Sequence, residues 1–129
     1  NAVPLAHFIK YSGMKVVLSH GGGALAFMLG RLKHNAEIHP GEFADPSEGF
    51  ARLYHDTVLL DPDALTFVCG KTGAGQLMMG SDYPFPIGDM KPCDIVNKAG
   101  FSEIDTTAIL GDTAAKLFQL DDGCDGTHG

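Results

Sequence analysis

The sequence predicts an α/β fold in which parallel strands alternate with helices. Two stretches carry this prediction, because each places a short apolar run before a turn rich in glycine or proline. They are KVVLSHGGGALAFMLGR, residues 15–31, and QLMMGSDYPFP, residues 76–86. In a βα unit, the residue that ends the strand faces the crevice where α/β proteins keep their chemistry. His20 and Asp82 hold that position in the two stretches.

The elements of the first half follow from apolar spacing and from the residues that interrupt it. In chain order we expect a helix over 2–12, a strand over 15–19, a helix over 24–34, a polar loop over 34–49 and a strand over 51–60. The loop contains two prolines and two glycines, and a loop of this length typically covers a site or contacts a partner.

In the second half, a helix and a strand follow from capping and apolar residues. Asp61 supplies an N-cap and Pro62 a first-turn proline for a short helix through Val68. Gly70 is expected to stop this helix. A third strand over 76–82 precedes a rigid proline-rich loop, YPFPIGDMKP.

The last helix is expected to start at Ser102 and to end around Leu120. Ser102 and Asp105 have the spacing of a capping box. The segment 121–129 is polar and glycine-rich, which predicts a disordered tail. The sequence therefore predicts one domain over residues 1–120 followed by this tail.

Composition limits the function classes. At 129 residues and 44% hydrophobic, the chain is long enough for one domain with a core. A net charge of -7 with only nine Lys and Arg argues against nucleic acid as a partner. No apolar run reaches the ~20 residues of a membrane span. The three cysteines lack CxxC spacing, so we expect reduced thiols in a cytoplasmic protein.

The spacing of the strand ends indicates a particular architecture. His20 and His55 are 35 positions apart, and His55 and Asp82 are 27 apart. These intervals are close to the ~30 residues of each unit in an eight-unit barrel. Three consecutive βα units and a leading helix make up about half of such a barrel.

Four segments in combination carry a family resemblance: HGGGALAFMLGR, LYHDTVL, MGSDYPFPIGDM and ILGDTAAKLFQL. Together they resemble the carboxy-terminal half of the amidohydrolase-related (amidohydrolase family 2) metal-dependent decarboxylases, closest to the aminocarboxymuconate semialdehyde decarboxylases. The resemblance covers roughly residues 4–120. It implies an α/β fold that forms about strands 6–8 of an amidohydrolase-type (β/α)8 TIM barrel. It also implies one divalent metal, usually zinc, and non-oxidative release of CO2.

The resemblance also implies roles for four residues. Asp82 would be the metal-binding aspartate at the end of the eighth strand. His20, at the end of the sixth, would be the catalytic acid/base histidine. Arg31 would bind a substrate carboxylate across the interface of a homodimer, and Phe85 would line the substrate pocket. The implied substrate is a small carboxylate, either a carboxylated muconate semialdehyde or an aromatic acid.

These roles agree with the chemistry of the residue types. Zinc generates a nucleophile or base at neutral pH, and an anionic aspartate partly offsets its charge. A free imidazole, with a pKa of about 6.5, can transfer a proton at neutral pH. A guanidinium can bind both oxygens of a carboxylate at once.

The chain departs from the family pattern in its other metal ligands. The family has an HxH pair at the end of the first strand and a histidine at the end of the fifth, and this sequence contains no HxH. Catalytic zinc generally needs three protein ligands. We therefore expect the chain to be part of a longer enzyme, a truncated product, or a chain that pairs with another.

Other functions remain open at this point. Within the same superfamily, the chain could belong to a metal-dependent hydrolase, or it could be a non-catalytic fragment. The glycines after His20 also fit a loose dinucleotide-binding fingerprint, although no acidic residue follows at the expected distance. They further resemble the oxyanion loop of esterases, but a G-x-S-x-G elbow is missing.

Each candidate residue also has an ordinary structural interpretation. His20 could bond a backbone carbonyl, Asp82 could form an Asx-turn, and Arg31 could be a solvated charge at the end of its helix. Three more histidines lack the spacing of common metal sites, and we interpret them as surface or structural residues: His34, His39 and His55.

Overall fold

A parallel three-stranded sheet forms the centre of the computed structural model, which describes residue 11 and residues 13–120. Strand β1 is Val16–Leu18, β2 is Leu53–Asp56 and β3 is Leu77–Met78, in the spatial order β1-β2-β3. Leu18 pairs with His55, and His55 pairs with Leu77. All three carboxyl ends therefore lie at one edge of the sheet. The predicted α/β class with parallel strands is confirmed.

Helices connect the strands and follow the last of them. In chain order they are α1 (Leu25–Ile38), α2 (Pro46–Ala51), α3 (Pro62–Thr72), α4 (Pro92–Lys98), α5 (Glu103–Thr107) and α6 (Thr113–Leu117). A π-helical segment, Ala108–Asp112, joins α5 to α6. Within it the carbonyl of Ile109 accepts a hydrogen bond from the Met79 N–H at 3.0 Å, which ties the end of β3 to the last helices.

The alternation of side chains along β2 separates two environments. Leu53 and His55 are buried, and so is Thr57 just beyond the strand, whereas Tyr54 and Asp56 are only half-buried. The buried side chains face the helices, where the apolar core lies. Among the described residues, nine form this core: Ala26, Phe50, Leu65, Val68, Ala74, Leu77, Ile95, Val96 and Ile109.

Both predicted helix caps are confirmed. The Asp61 carboxylate accepts a hydrogen bond from the Asp63 N–H at 2.9 Å, and Pro62 occupies the first turn of α3. The Ser102 hydroxyl oxygen accepts one from the Asp105 N–H at 3.1 Å. Each cap pairs a backbone donor that the helix itself leaves without a partner.

Helix α1 is longer than the sequence predicted, and α2 was not predicted. The helix predicted over 24–34 continues to Ile38, so Arg31 lies in its middle and not at its end. The predicted loop over 34–49 is correspondingly shorter, and it contains the start of α2. There Asp45 and Pro46 repeat the capping signal of Asp61 and Pro62, with the Asp45 carboxylate accepting from the Ser47 N–H at 2.8 Å.

Three further predicted elements have bounds other than expected, and one helix of the second half was not predicted. The helix predicted to end at Val68 runs to Thr72, because Gly70 is accommodated inside it and Gly73, with φ of 77°, ends it. Helix α4 was not predicted, since no side chain caps its start at Lys91. The strands predicted over 51–60 and 76–82 are both shorter than expected.

The predicted helix over 2–12, apart from Tyr11, and the predicted tail over 121–129 lie outside the described residues. Among the helices that the structure describes, none is long and apolar enough to cross a bilayer.

Replacement of Leu65 by Ala is expected to lower the free energy of unfolding by about 3 kcal/mol, because it leaves a cavity in the apolar core. Leu65 is completely buried, at 0% exposure. Ile104→Ala is the control, since Ile104 is 82% exposed and its loss should change stability by about 0.5 kcal/mol or less. Urea unfolding of both variants measures the difference, and equal effects would contradict the assigned core.

Candidate active site at the carboxyl edge of the sheet

His20 begins a left-handed turn directly after β1. Four consecutive residues, His20 to Gly23, have positive φ values of 55°, 62°, 81° and 59°. Glycine adopts this conformation freely, but a histidine in it carries strain of roughly 1–2 kcal/mol. Such strain persists where the surroundings hold the backbone in place, and it concentrates at functional sites. The His20 ring is exposed at this edge of the sheet.

The segment from β2 to Leu59 holds this turn in place. The Asp56 Oδ1 accepts hydrogen bonds from the N–H groups of Gly21 and Val58, both at 3.1 Å. A side chain at Gly21 would place its Cβ 2.8 Å from Leu59, and one at Gly22 would come within 2.5 Å of His55 Nδ1. The glycines after His20 are therefore required both by φ and by close contact.

Asp82 has the same unusual backbone as His20, with φ of 58°. It begins a loop that is closed by hydrogen bonds between its own backbone groups. The Asp82 carbonyl accepts from the Phe85 N–H at 3.0 Å, and the Ser81 carbonyl accepts from the Asp89 N–H at 2.7 Å. Gly88 closes the loop so tightly that a Cβ there would lie 2.8 Å from the Ser81 carbonyl oxygen. The peptide bond between Tyr83 and Pro84 is cis.

The start of this loop is also tied to β2. The Gly80 N–H donates a hydrogen bond to the Thr57 Oγ1 at 3.2 Å, and Thr57 is 1% exposed. A Cβ on Gly80 would lie 3.2 Å from the Asp56 Cβ. Residues 56 and 57 therefore contact the backbone on both sides of β2.

The structure places His20 and Asp82 at the same edge of the sheet. They follow β1 and β3, which flank β2, and neighbouring strands lie about 4.8 Å apart. Within the described part of the chain, neither the His20 ring nor the Asp82 carboxylate has a hydrogen-bond or ion-pair partner. Both groups are available to a ligand.

Arg31 lies apart from this pair, whereas Phe85 lies close to Asp82. Arg31 is exposed and is six residues into α1 from Leu25, or about 9 Å along the helix axis. Phe85 is 62% exposed on the loop after Asp82. The structure does not bring Arg31 to the carboxyl edge of its own chain.

The structure locates the three histidines interpreted from the sequence as surface or structural residues. His34 is exposed and lies 3.5 Å from the Glu37 carboxylate, and the exposed His39 bonds to the Asn35 carbonyl at 3.0 Å. His55, in contrast, is completely buried, with no hydrogen-bond partner of normal geometry on either ring nitrogen. Burial lowers the pKa of His55, and this outweighs the opposing effects of the Gly21 backbone and the Asp56 charge.

The side chains at this edge do not by themselves make a metal site. Among residue 11 and residues 13–120, no group of three or more His, Cys, Asp or Glu side chains comes close enough together to hold an ion. The unpaired carboxylate of Asp82 fits one ligand position, since an anionic oxygen is a normal ligand of zinc and manganese. Any further ligands must come from outside the described residues.

The sequence profile of the amidohydrolase family matches residues 6–120. The chain belongs to the amidohydrolase family. It is 31% identical over 120 residues to the 2-amino-3-carboxymuconate-6-semialdehyde decarboxylase of Dictyostelium discoideum, with 88% of this chain and 33% of that protein covered. The chain spans about a third of the length of this curated relative.

Solved structures of other proteins share this fold. The 5-carboxyvanillate decarboxylase of Sphingomonas paucimobilis superposes with a TM-score of 0.76 at 28% identity, covering 91% of this amidohydrolase chain and 37% of the other. A dihydroxybenzoic acid decarboxylase of Polaromonas, with bound manganese and 2-nitroresorcinol, gives 0.78 at 24% identity over 91% and 37% of the two chains. The expected fold, a carboxy-terminal part of an amidohydrolase barrel, is confirmed.

The His55→Leu variant tests the buried histidine through the pH dependence of stability. Because the pKa of His55 in the folded protein is below its ordinary value of 6.5, the unfolded state binds more protons between these two values. Stability is then complete above about pH 6.5 and falls as the pH decreases towards the lowered pKa. The Leu variant should lose this part of the acid destabilisation.

The exposed His34 supplies the control, since His34→Leu should leave the pH dependence nearly unchanged. Urea unfolding of the parent protein and both variants at pH 7.5 and 5.5 measures the effect. An equal loss of stability on acidification in the parent and the His55→Leu variant would contradict the assignment of a neutral buried ring.

Proposed function

We propose that this chain supplies one half of the active site of a metal-dependent, non-oxidative decarboxylase. The observation that carries the proposal is that His20 and Asp82 share one edge of the sheet. Both stand on a left-handed backbone, and neither has a partner among the described residues. The curated relatives, which are named as decarboxylases, support this reaction class.

His20 would act as the acid/base group. When the bond between the substrate carbon and its carboxylate breaks, CO2 leaves and the electron pair stays on the carbon. A proton must then replace the carboxylate, and the His20 imidazolium can donate it. The exposed position of His20, with no competing hydrogen bond in the described chain, suits this role.

Asp82 would hold the metal, for which we propose zinc. When bound, such an ion would act as a Lewis acid towards the substrate. The self-bonded loop over residues 81–89 keeps the Asp82 backbone in one geometry. An HxH pair and another histidine from the rest of a complete barrel would supply the remaining ligands.

Arg31 and Phe85 would bind substrate. Arg31 is exposed in the middle of α1, away from the carboxyl edge of its own sheet. We therefore propose that it contacts the substrate bound to the partner subunit of a homodimer. Its planar guanidinium can bind both oxygens of a carboxylate. Phe85, exposed beside Asp82, offers an apolar wall for a conjugated or aromatic acid.

The wider context of the chain is proposed on the same basis. The substrate would be a small carboxylate, namely a carboxylated muconate semialdehyde or an aromatic acid. Residues 1–120 would form one partial barrel domain that is completed by further chain. The thiols of Cys69 and Cys93 are unpaired, which supports a reducing compartment such as the cytoplasm.

A metal-dependent hydrolase of the same superfamily is the second candidate. The family match supports it, since that match does not specify a reaction. An assay that follows CO2 release separates it from the first candidate, because hydrolysis releases none.

His20→Ala and Asp82→Ala should separate proton transfer from metal binding. Loss of the acid/base group is expected to lower kcat by about 10²- to 10⁴-fold with the metal content unchanged. Loss of the Asp82 carboxylate should lower both kcat and the metal content. His34→Ala and Asp63→Ala, which alter exposed residues away from the site, serve as controls. Metal analysis and CO2 release are the measurements, and full turnover in His20→Ala would remove His20 from catalysis.

Arg31→Lys keeps the charge but loses two-point binding of the carboxylate, so KM is expected to rise about tenfold. Lys33→Ala on the same helix is the control. Mixing His20→Ala with Arg31→Ala subunits should restore about a quarter of the wild-type activity if Arg31 acts across a symmetric dimer. No recovery in a mixture shown to contain heterodimers would contradict the intersubunit role.

A further inference from the structure

The central strand of the sheet contacts the turns of both candidate residues. Because β2 lies between β1 and β3, its carboxyl end is adjacent to the turn of His20 on one side and to the approach to Asp82 on the other. Residues 56 and 57 occupy this end. Neither of them has a role in the function proposed above.

Asp56 is bonded to the backbone next to His20. Its Oδ1 accepts from the N–H of Gly21, the residue after His20, and from the N–H of Val58 on its own segment, both at 3.1 Å. One carboxylate oxygen therefore joins the left-handed turn to β2. Since His20 is strained at φ of 55°, a fixed anchor on the next residue restricts the directions in which its ring can point.

Thr57 is bonded to the backbone next to Asp82. Its buried Oγ1 accepts from the N–H of Gly80, two residues before Asp82, at 3.2 Å. Gly80 also packs against residue 56, where a Cβ on the glycine would be 3.2 Å from the Asp56 Cβ. A larger residue at position 80 would push the Asp82 loop away from β2.

We propose that Asp56 and Thr57 are a pair of positioning residues, which fix His20 and Asp82 relative to each other across β2. Asp56 orients the acid/base ring, and Thr57 orients the metal-binding carboxylate. The proposal rests on the function proposed above for these two residues, but it goes beyond it by assigning the control of their geometry to the strand between them.

Asp56→Ala and Asp56→Asn test the first half of the pair in the complete enzyme that contains this chain. The Ala variant loses both hydrogen bonds, so kcat should fall about 100-fold while KM changes little. The Asn variant keeps an Oδ1 acceptor and should keep kcat within about threefold of the parent. In Asp56→Ala, NMR should show shifted His20 ring signals and faster hydrogen exchange of the Gly21 amide.

Asp61→Ala is the matched control, because the Asp61 carboxylate also accepts a backbone N–H, at 2.9 Å, but at the start of α3. It should lose stability with unchanged kcat and unchanged His20 signals. Equal kcat in Asp56→Ala and Asp61→Ala, or unmoved His20 signals in Asp56→Ala, would overturn the role of Asp56.

Thr57→Val and Thr57→Ser test the second half. Valine has nearly the same volume but no acceptor, so zinc affinity should fall about 10- to 100-fold in competition with a chelator. Serine restores the hydroxyl and should restore affinity. Thr113→Val is the control, since the buried Thr113 hydroxyl donates to the Ala74 carbonyl at 2.9 Å away from the site. Unchanged zinc affinity in Thr57→Val would overturn the role of Thr57.

The two proposals fail in different ways. A complete enzyme that contains this chain and binds metal but releases no CO2 refutes the proposed function, while the His20 signals and the zinc affinities still decide whether residues 56 and 57 position these side chains. If Asp56→Ala does not fold, Asp56→Asn and the nearly isosteric Thr57→Val remain decisive. A loss of kcat in Asp56→Asn well beyond threefold would contradict positioning through the Oδ1.

Discussion

The double hydrogen bond to the Asp56 carboxylate is the contact on which the rest of the site depends. A turn made of one histidine and three glycines in left-handed conformation does not hold a single conformation by itself, because glycine loses the most backbone conformational entropy on folding. A single oxygen that accepts from both Gly21 and Val58 joins two chain segments 35 positions apart. The neighbouring strand β2 thereby fixes the position of the His20 turn.

The parts of the fold that were predictable are those encoded locally. Short apolar runs before glycine-rich or proline-rich turns indicated the strands, and the pair Asp61 and Pro62 correctly indicated a helix start. The same signal at Asp45 and Pro46 was overlooked inside a polar stretch. Helix α4 lacks the capping aspartate, because Lys91 precedes its first-turn proline, Pro92, and no side chain caps its start.

The candidate site divides in a similar way. His20 and Asp82 could be found from the sequence because they stand at strand ends within recognisable motifs. The structure places them at one edge, while their roles stay predictions. Asp56 and Thr57 could not be found, since their partners are backbone N–H groups far away in sequence. The only available signal was an aspartate followed by a threonine at the end of the central strand.

The contact between Gly22 and His55 has a consequence for how this protein can change. The ring of His55 fills the space that any larger residue at position 22 would need, with only 2.5 Å between the imidazole and a newly added carbon. Exchange of either residue for a bulkier one is therefore costly alone, whereas a smaller group at 55 would relieve the crowding at 22. The two positions are therefore coupled through packing, while the φ of 81° at Gly22 disfavours any side chain there whatever residue stands at 55.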